Sequence, residues 1–257
     1  MEILILCIAA LITSLLTFFS GFGLGTILTP VFAIFFPIEI AIALTGVVHF
    51  LNNIFKLMLI GKHADKQVVV RFGVPAIFAA LLGAFLLLQI SELEPIYAYT
   101  IGNKLFHVTP IKLIVAILII FFSFMEIMPR LKKIQFGKDK LFLGGLLSGF
   151  FGGLSGNQGA LRTAFLIRSG LSKEAFIATG IVIACLIDFT RLGVYSTRFL
   201  RSGLQENLTL VIAATLSAFI GAYLGSRLLK NVTFSTIQII VTVMLIILSL
   251  GIGSGLV

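Results

Sequence analysis

The stretch Ser155-Gly156-Asn157-Gln158-Gly159 interrupts an apolar run that begins at Leu141, and a short apolar run then continues to Gly170. A second stretch, Gly21-Phe22-Gly23-Leu24-Gly25, divides residues 3–36 in the same way. Backbone that leaves a helix at membrane depth is tolerated only where protein or a water-filled cavity satisfies its polar groups. The two breaks therefore predict two discontinuous helices within a helical membrane protein.

The composition indicates that the chain is surrounded by lipid. Apolar residues supply 59% of its 257 positions and charged residues only 11%, whereas a soluble domain carries about 25% charged residues. Crossing a bilayer takes about 17–25 mostly apolar residues. Runs of that kind are predicted at 38–60, 67–90, 106–128, 172–196, 207–229 and 233–255. What remains is too short for a soluble core, so residues 1–257 are predicted to form one all-α polytopic membrane domain.

The two halves of the chain resemble each other. Thr45-Gly46 matches Thr179-Gly180 at the offset that also separates Gly25 from Gly159. Further along, a second match pairs Leu82-Gly83-Ala84-Phe85 with Ile220-Gly221-Ala222-Tyr223. Two matches in the same order, each after a glycine-rich break, predict an internal duplication.

The topology depends on whether each broken region counts as one segment or two. With two segments per broken region, the halves at about 1–128 and 141–257 have five segments each. Because five is an odd number, the halves are then inverted repeats with broken or re-entrant first helices. The cytoplasmic loops then hold twelve Lys and Arg residues against three outside. With one segment per broken region, the chain has eight spans in parallel 4+4 repeats, and the Lys and Arg residues number ten in the cytoplasmic loops and five outside. Because cytoplasmic loops are enriched in Lys and Arg, the inverted arrangement is favoured, with the basic linker 129–140 cytoplasmic and loops 168–173 and 197–206 on opposite faces.

The phrase Gly21-Phe-Gly23-Leu-Gly25-Thr-Ile-Leu-Thr-Pro30 resembles the glycine-rich signature, G-x-G-G-G followed by a proline, of the sulfite exporter TauE/SafE family. That family also has two related halves, each opening with the motif. The resemblance implies transport of sulfite, sulfonates or related sulfur-containing or carboxylate anions across a bacterial inner membrane. Leu24 stands where the motif has glycine, and the second copy, Gly156 to Ala164, lacks one glycine and the proline. In the second break, polar side chains therefore stand where the family motif has glycine backbone without a side chain.

The residues around the two breaks are candidate ligands for an anion. Glycine lets backbone N–H groups approach a ligand, and a helix N-terminus attracts negative charge. Discontinuous helices of transporters place such ends on the substrate. The alternative is that the glycines only permit close helix packing, and that Arg162 snorkels or pairs with an acid. The candidates in this group are Gly21, Gly23, Gly25, Gly156, Asn157, Gln158, Gly159 and Arg162.

A second polar cluster lies on the helix that follows each break. Asp188 and Arg191 are three residues apart, share a helix face, and are expected to neutralise each other in the simplest case. In the functional alternative, an offset of 135 residues relates Asn53 to Asp188 and Lys56 to Arg191, the two cations face one cavity, and Asp188 carries a proton. His49 lies in the same cluster, and the substrate-binding candidates drawn from it are Asn52, Asn53, Lys56, Asp188 and Arg191.

Other classes of function fit the sequence less well. The chain has no G-x-x-x-x-G-K-[ST] loop, so it is no ATP-driven pump by itself. Gly153-Leu154-Ser155-Gly156 fits the G-x-S-G pattern of intramembrane proteases, but all three histidines precede Ser155, in the wrong order. Cys7 and Cys185 have no metal or redox spacing. The net charge of +9 is explained by the loops rather than by nucleic acid.

The sequence therefore predicts a non-enzymatic secondary carrier for a small anion in the bacterial cytoplasmic membrane, with no metal and no cofactor. An anion channel is the alternative. The identity of the anion, the direction of transport, the coupling ion (proton or sodium) and the oligomeric state stay open.

Overall fold

The computed structural model describes residues 1–20, 24–128, 135–198, 200–228 and 235–257. The helices of the first half flank and follow the first break. They are α1 (Glu2–Ser20), α2 (Leu24–Ala33), α3 (Ile38–Ile60), α4 (Lys66–Ser91) and α5 (Pro110–Ile127), with a 3-10 turn at Gly61–His63. Asp65 caps α4 by accepting a hydrogen bond from the Val68 amide at 2.9 Å, and this cap is typical of helix starts.

The described residues of the second half form six helices. Its helices are α6 (Leu141–Ser155), α7 (Gly159–Leu166), α8 (Lys173–Tyr195), α9 (Leu200–Glu206), α10 (Leu208–Leu228) and α11 (Ser235–Gly253), with a 3-10 turn at Lys138–Lys140. The side chain of Ser172 caps α8 by accepting from the Ala175 amide at 3.2 Å. The predicted all-α class is confirmed for the described residues.

Among the described residues, four helical segments are long and apolar enough to cross a membrane, namely Ile38–His63, Lys66–Ser91, Lys173–Tyr195 and Leu208–Arg227. They correspond to four of the six predicted runs. The helices after the breaks are shorter, because α2 has 10 residues and α7 has 8. At 1.5 Å per residue they measure about 15 and 12 Å, so neither crosses a hydrocarbon core about 30 Å thick.

The predicted run 106–128 begins too early. Residues Lys104–Val108 form strand β2, which pairs antiparallel with strand β1 (Tyr97–Ile101), and α5 starts only at Pro110. The strands are joined by the two-residue turn Gly102-Asn103, in which Gly102 has φ 60°. A tight hairpin turn requires such left-handed backbone. The hairpin is an addition that the apolar pattern of this region did not reveal.

Helices of the two halves pack against each other in exchanged pairs. α1 packs against α10 and α6 against α4, while α3 packs against α8 and α5 against α11. Gly83 of α4 lies directly on the Phe150 carbonyl of α6, and Gly221 of α10 lies on the Leu11 carbonyl of α1. Small residues allow this close approach of backbones in membranes. The two glycines matched in the sequence therefore make the same kind of contact, although the inverted relation of the halves stays a prediction.

The second break turns the chain back on itself. The Phe136 amide, before α6, donates to the Ala164 carbonyl of α7 at 3.1 Å, and the rings of Phe136 and Phe165 stack with centroids 4.1 Å apart. The end of α7 thus returns to the start of α6. An ideal Cβ on Gly170 would lie 3.3 Å from Lys138 Nζ, which places the residues before α6 and after α7 at the same end of the bundle.

Contacts at the two ends of α4 separate the neighbouring loops. Arg71, near its start, and Lys138 line one cavity. Arg198 pairs with Glu92, immediately after its last residue, and donates to the Leu88 carbonyl at 3.2 Å. Gly170 and Arg198 therefore lie at opposite ends of the bundle. Both arrangements of the halves place these two loops at opposite ends, because α8 lies between them, so the arrangement of the repeats stays a prediction. The orientation of the bundle in a membrane stays a prediction.

Candidate anion site

The two breaks meet inside the bundle. α6 ends at Gly156, whose φ of +79° is a left-handed conformation that favours glycine. Gly25, in the first turn of α2, faces it closely, because an ideal Cβ on Gly25 would lie 3.4 Å from the Gly156 carbonyl oxygen. Gly25 and Gly156 are therefore neighbours, and the predicted convergence of the whole breaks around one cavity stays a prediction. Gly21 and Gly23 lie outside the described residues.

Arg191 of α8 reaches this junction and is clamped there. An ideal Cβ would lie 3.2 Å from its Cζ if built on Gly46, and 2.8 Å from its Nη1 if built on Gly156. The residue is only 1% exposed. Its Nε donates to Asp188 Oδ1 at 2.9 Å, while its Nη2 has no hydrogen-bond partner in the described part of the protein. Leaving a buried charged donor unpaired is costly.

Asp188 joins the two central helices through both of its oxygens. Its Oδ1 accepts from Arg191 of its own helix, and its Oδ2 lies 2.6 Å from His49 Nδ1 of α3. The Asn53 amide nitrogen lies 3.3 Å from each ring nitrogen of His49. The predicted neutralisation of Asp188 by Arg191 is therefore present, but as part of a buried network that spans α3 and α8.

Two amide side chains add further donors without a partner. Asn52 accepts from the Ser14 hydroxyl of α1 at 3.2 Å through Oδ1, which leaves its Nδ2 unpaired. Gln158 accepts from Arg162 Nη1 at 3.3 Å through Oε1, which leaves its Nε2 unpaired. Both side chains are fully buried. Together with Arg191 Nη2, they make three buried unpaired N–H groups among the predicted site residues.

Asn157 contributes the opposite kind of atom. The Ser155 hydroxyl donates its one proton to the Phe151 carbonyl at 3.1 Å, so it accepts from Asn157 Nδ2 at 3.2 Å. This orientation leaves Asn157 Oδ1 as a buried acceptor without a partner among the described residues. The second break therefore presents an acceptor beside its donors.

A family model described as Sulfite exporter TauE/SafE matches residues 6–252 of the chain. The chain belongs to the TauE/SafE family. Neither a curated protein nor a solved structure matches it. Membership and the apolar helices together make this TauE/SafE protein an integral multi-pass membrane protein and a transporter, since the members of the family are transporters rather than enzymes.

Lys56 and Arg162, the other two cations among the candidate site residues, lie beside the same network. Lys56 is 5% exposed, and its charge and that of Arg162 are close enough to repel each other. Arg162 is half-buried, and its Nε would lie 3.4 Å from an ideal Cβ on Gly180. The matched glycines Gly46 and Gly180 thus each accommodate an arginine. At Gly180 this cation is Arg162. The offset of 135 residues relates Lys56 to Arg191, and that relation stays a prediction.

Some residues of the network were not among the candidates. His49 was noted in its cluster but not assigned to the site, and Ser14, Ser148 and Tyr195 were overlooked. The Ser148 hydroxyl donates to the Gln158 carbonyl at 3.3 Å, and the Tyr195 hydroxyl donates to the Gly153 carbonyl. Serine is common in membrane helices as a packing residue, so composition alone gave no signal for these contacts.

The chemistry of the cluster is that of hydrogen bonding and charge. Across the described ranges, no group of three or more His, Cys, Asp or Glu side chains is placed to hold a metal ion. The cluster contains a buried guanidinium nitrogen and two buried amide nitrogens without a hydrogen-bond partner among the described residues, and an oxyanion is a suitable acceptor for such donors.

Proposed function

We propose that this TauE/SafE transporter is a secondary carrier that binds a small oxyanion, sulfite or a related sulfur-containing or carboxylate anion, between its two broken helices. The observation that carries the proposal is Arg191 Nη2, which is buried without a hydrogen-bond partner where the two breaks meet. A guanidinium is planar and permanently charged, and it suits oxyanions better than other side chains do. The membrane is proposed to be the bacterial cytoplasmic membrane.

The donors would be satisfied by the substrate. A buried donor without a partner costs about 1–3 kcal/mol, and Asn52 Nδ2, Gln158 Nε2 and Arg191 Nη2 are three such donors. In this proposal an anion bound among them satisfies these donors, and the cost of leaving them unpaired returns as binding energy. The unpaired groups are therefore best explained as ligands of the substrate.

The other candidate residues have supporting roles in this proposal. Gly25, Gly156 and Gly159 keep the breaks free of side chains, so that backbone N–H groups can approach the anion. Asp188 and Asn53 hold the network in place. Lys56 and Arg162 add positive potential, and Asn157 supplies an acceptor. Gly21 and Gly23 are assigned to the same site by their place in the glycine-rich motif.

Burial of the site supports a carrier rather than a channel. Asn52, Gln158 and Arg191 are at most 1% exposed. A conducting channel needs a path that is open at both ends, whereas a carrier passes through a conformation that shuts its site from both sides. The structure fits the shut conformation of a carrier.

Flux in proteoliposomes tests the proposal. Vesicles are loaded with sulfite, thiosulfate, sulfonates or short carboxylates, and Arg191→Gln is compared with Arg198→Gln. Arg191→Gln loses a charge-assisted hydrogen bond to the anion, which contributes about 1.5–3 kcal/mol, so this variant is expected to transport the anion roughly 10- to 100-fold more slowly. Arg198 is exposed on the bundle end, so its variant retains wild-type flux. A carrier is also accelerated by anion on the opposite side, which a channel is not.

Two results contradict the proposal. Flux of the Arg191→Gln variant equal to that of Arg198→Gln, at equal amounts of folded protein, removes Arg191 from the site. Flux that is indifferent to anion on the opposite side identifies a channel instead of a carrier.

A further inference from the structure

We infer that His49 is the site at which a proton is taken up and carried together with the anion. The inference rests on the proposed carrier function and adds the coupling ion to it. His49 is 4% exposed and lies on α3, 139 residues from its partner Asp188 in the sequence. Histidine changes charge near neutral pH more readily than any other side chain.

The geometry assigns one proton to a definite ring nitrogen. A carboxylate only accepts hydrogen bonds, so the 2.6 Å contact means that His49 Nδ1 carries a hydrogen and donates it to Asp188 Oδ2. In the neutral ring Nε2 is then an acceptor, and the Asn53 amide nitrogen donates to it from 3.3 Å. An arriving proton adds to the Nε2 lone pair. Asn53 then turns its amide over to present its carbonyl oxygen to the new N–H group.

Asp188, the proton carrier in the functional alternative drawn from the sequence, is less suited to that role. Both of its oxygens already accept hydrogen bonds, Oδ1 from Arg191 and Oδ2 from His49. A proton added to either oxygen would displace one of these donors. In His49, by contrast, the Nε2 lone pair faces the Asn53 amide, which can turn over when a proton is added.

The charges around His49 connect its proton to the anion. Those that act on it are Asp188 and Arg191 of α8 and Lys56 of its own helix. The other elements packed on α3 carry Lys62 and His63 in the 3-10 turn, Lys112 and Glu126 in α5, Arg201 and Glu206 in α9, and Tyr223 and Arg227 in α10, whereas α2 has no titratable residue. Proton uptake changes the net charge of the His49–Asp188–Arg191 network from zero to +1. An anion at Arg191 therefore favours the proton, and the proton favours the anion by the same factor.

Accumulation driven by a pH gradient tests the coupling. Vesicles hold the membrane potential at zero with potassium and valinomycin, and thiosulfate and methanesulfonate serve as anions because neither titrates near neutral pH. With one proton per anion, a gradient of one pH unit accumulates the anion about tenfold on the alkaline side. His49→Asn keeps an amide N–H near the Nδ1 position but binds no proton, so it equilibrates the anion without accumulation. His63→Asn, at an exposed position, retains the tenfold accumulation.

The outcomes separate the two proposals. Absence of flux for every anion in the wild type overturns the carrier function, and the coupling with it. Flux without accumulation in the wild type, or accumulation that persists in His49→Asn, overturns the coupling alone. If His49→Asn does not fold, NMR of the 15N-histidine-labelled wild type decides, because thiosulfate or sulfite must increase protonation of Nε2 in a buried histidine. An unchanged histidine spectrum contradicts the inference.

Discussion

Substitution of Gly46 by alanine tests whether the position of Arg191 decides anion affinity. Gly46 lies within α3, where alanine is favoured over glycine by about 1 kcal/mol, so the backbone accepts the change. The new methyl group would lie 3.2 Å from Arg191 Cζ and 3.1 Å from Leu192 Cδ2. Leu192 can turn away. Arg191 has less freedom to move, because its Nη1 also packs closely against Gly156 and its Nε donates to Asp188.

The guanidinium must then shift by a few tenths of an ångström along its own plane, which misaligns Nη2 with the anion. If half of a charge-assisted hydrogen bond of about 1.5–3 kcal/mol is lost, the Kd rises roughly 3- to 12-fold. Gly193→Ala is the matched control, since nothing lies within 4 Å of an ideal Cβ at that position. Binding of radiolabelled sulfite to protein in nanodiscs measures both variants. Equal Kd values for Gly46→Ala and Gly193→Ala, at equal thermal stability, would refute the placement of the anion at Arg191.

Three further predictions concern the network, the packing and the topology. Asp188→Asn leaves the charge of Arg191 uncompensated and lowers the free energy of unfolding by about 3–5 kcal/mol. The double variant Asp188→Asn/Arg191→Gln is expected to recover most of the lost stability in thermal unfolding. Strictly additive losses of the two single variants would contradict the network. Gly149→Leu pushes into the Ala76 backbone, where an ideal Cβ already lies 2.6 Å from Cα, so we expect loss of monodisperse protein in size-exclusion chromatography. In a background without Cys7 and Cys185, Glu174→Cys is expected to resist an impermeant external thiol reagent and Arg201→Cys to react, both positions being exposed. The reverse pattern would contradict the inverted arrangement with its predicted orientation.

The long helices could be predicted because their cause is local. Apolar runs such as 38–60 and 67–90 are long enough to cross a bilayer whatever surrounds them, and α3 and α4 begin and end within a residue of these bounds. The break at Gly156 was visible for the same reason, since Asn157 and Gln158 are polar and Gly156 permits a left-handed backbone. The hairpin before α5 was missed because its strands are five residues each and apolar enough to be taken for the start of the helix.

The partners of the site residues could not be predicted, because they come from distant parts of the chain. Within α8, Asp188 already has an ion-pair partner, Arg191, one turn away, so the sequence of this helix does not indicate a second partner. His49 becomes that partner only because α3 packs against α8. Likewise, the offset between the halves relates Lys56 to Arg191, but the turn at the second break brings Arg162 rather than Lys56 onto Gly180.

The exchanged packing of the helices has a consequence for how the protein is made. α1 leaves the ribosome first, but the helix that covers its Leu11 backbone is α10, about 190 residues later. At about 5–20 residues per second, this delay is roughly 10–40 s. During that time α1 lies in the membrane with the surface around Leu11 uncovered, although Asn52, the partner of Ser14, follows only 38 residues later. Insertion of the first helix and completion of the fold are therefore separate events, and the nascent first half must be held in the bilayer until α10 arrives.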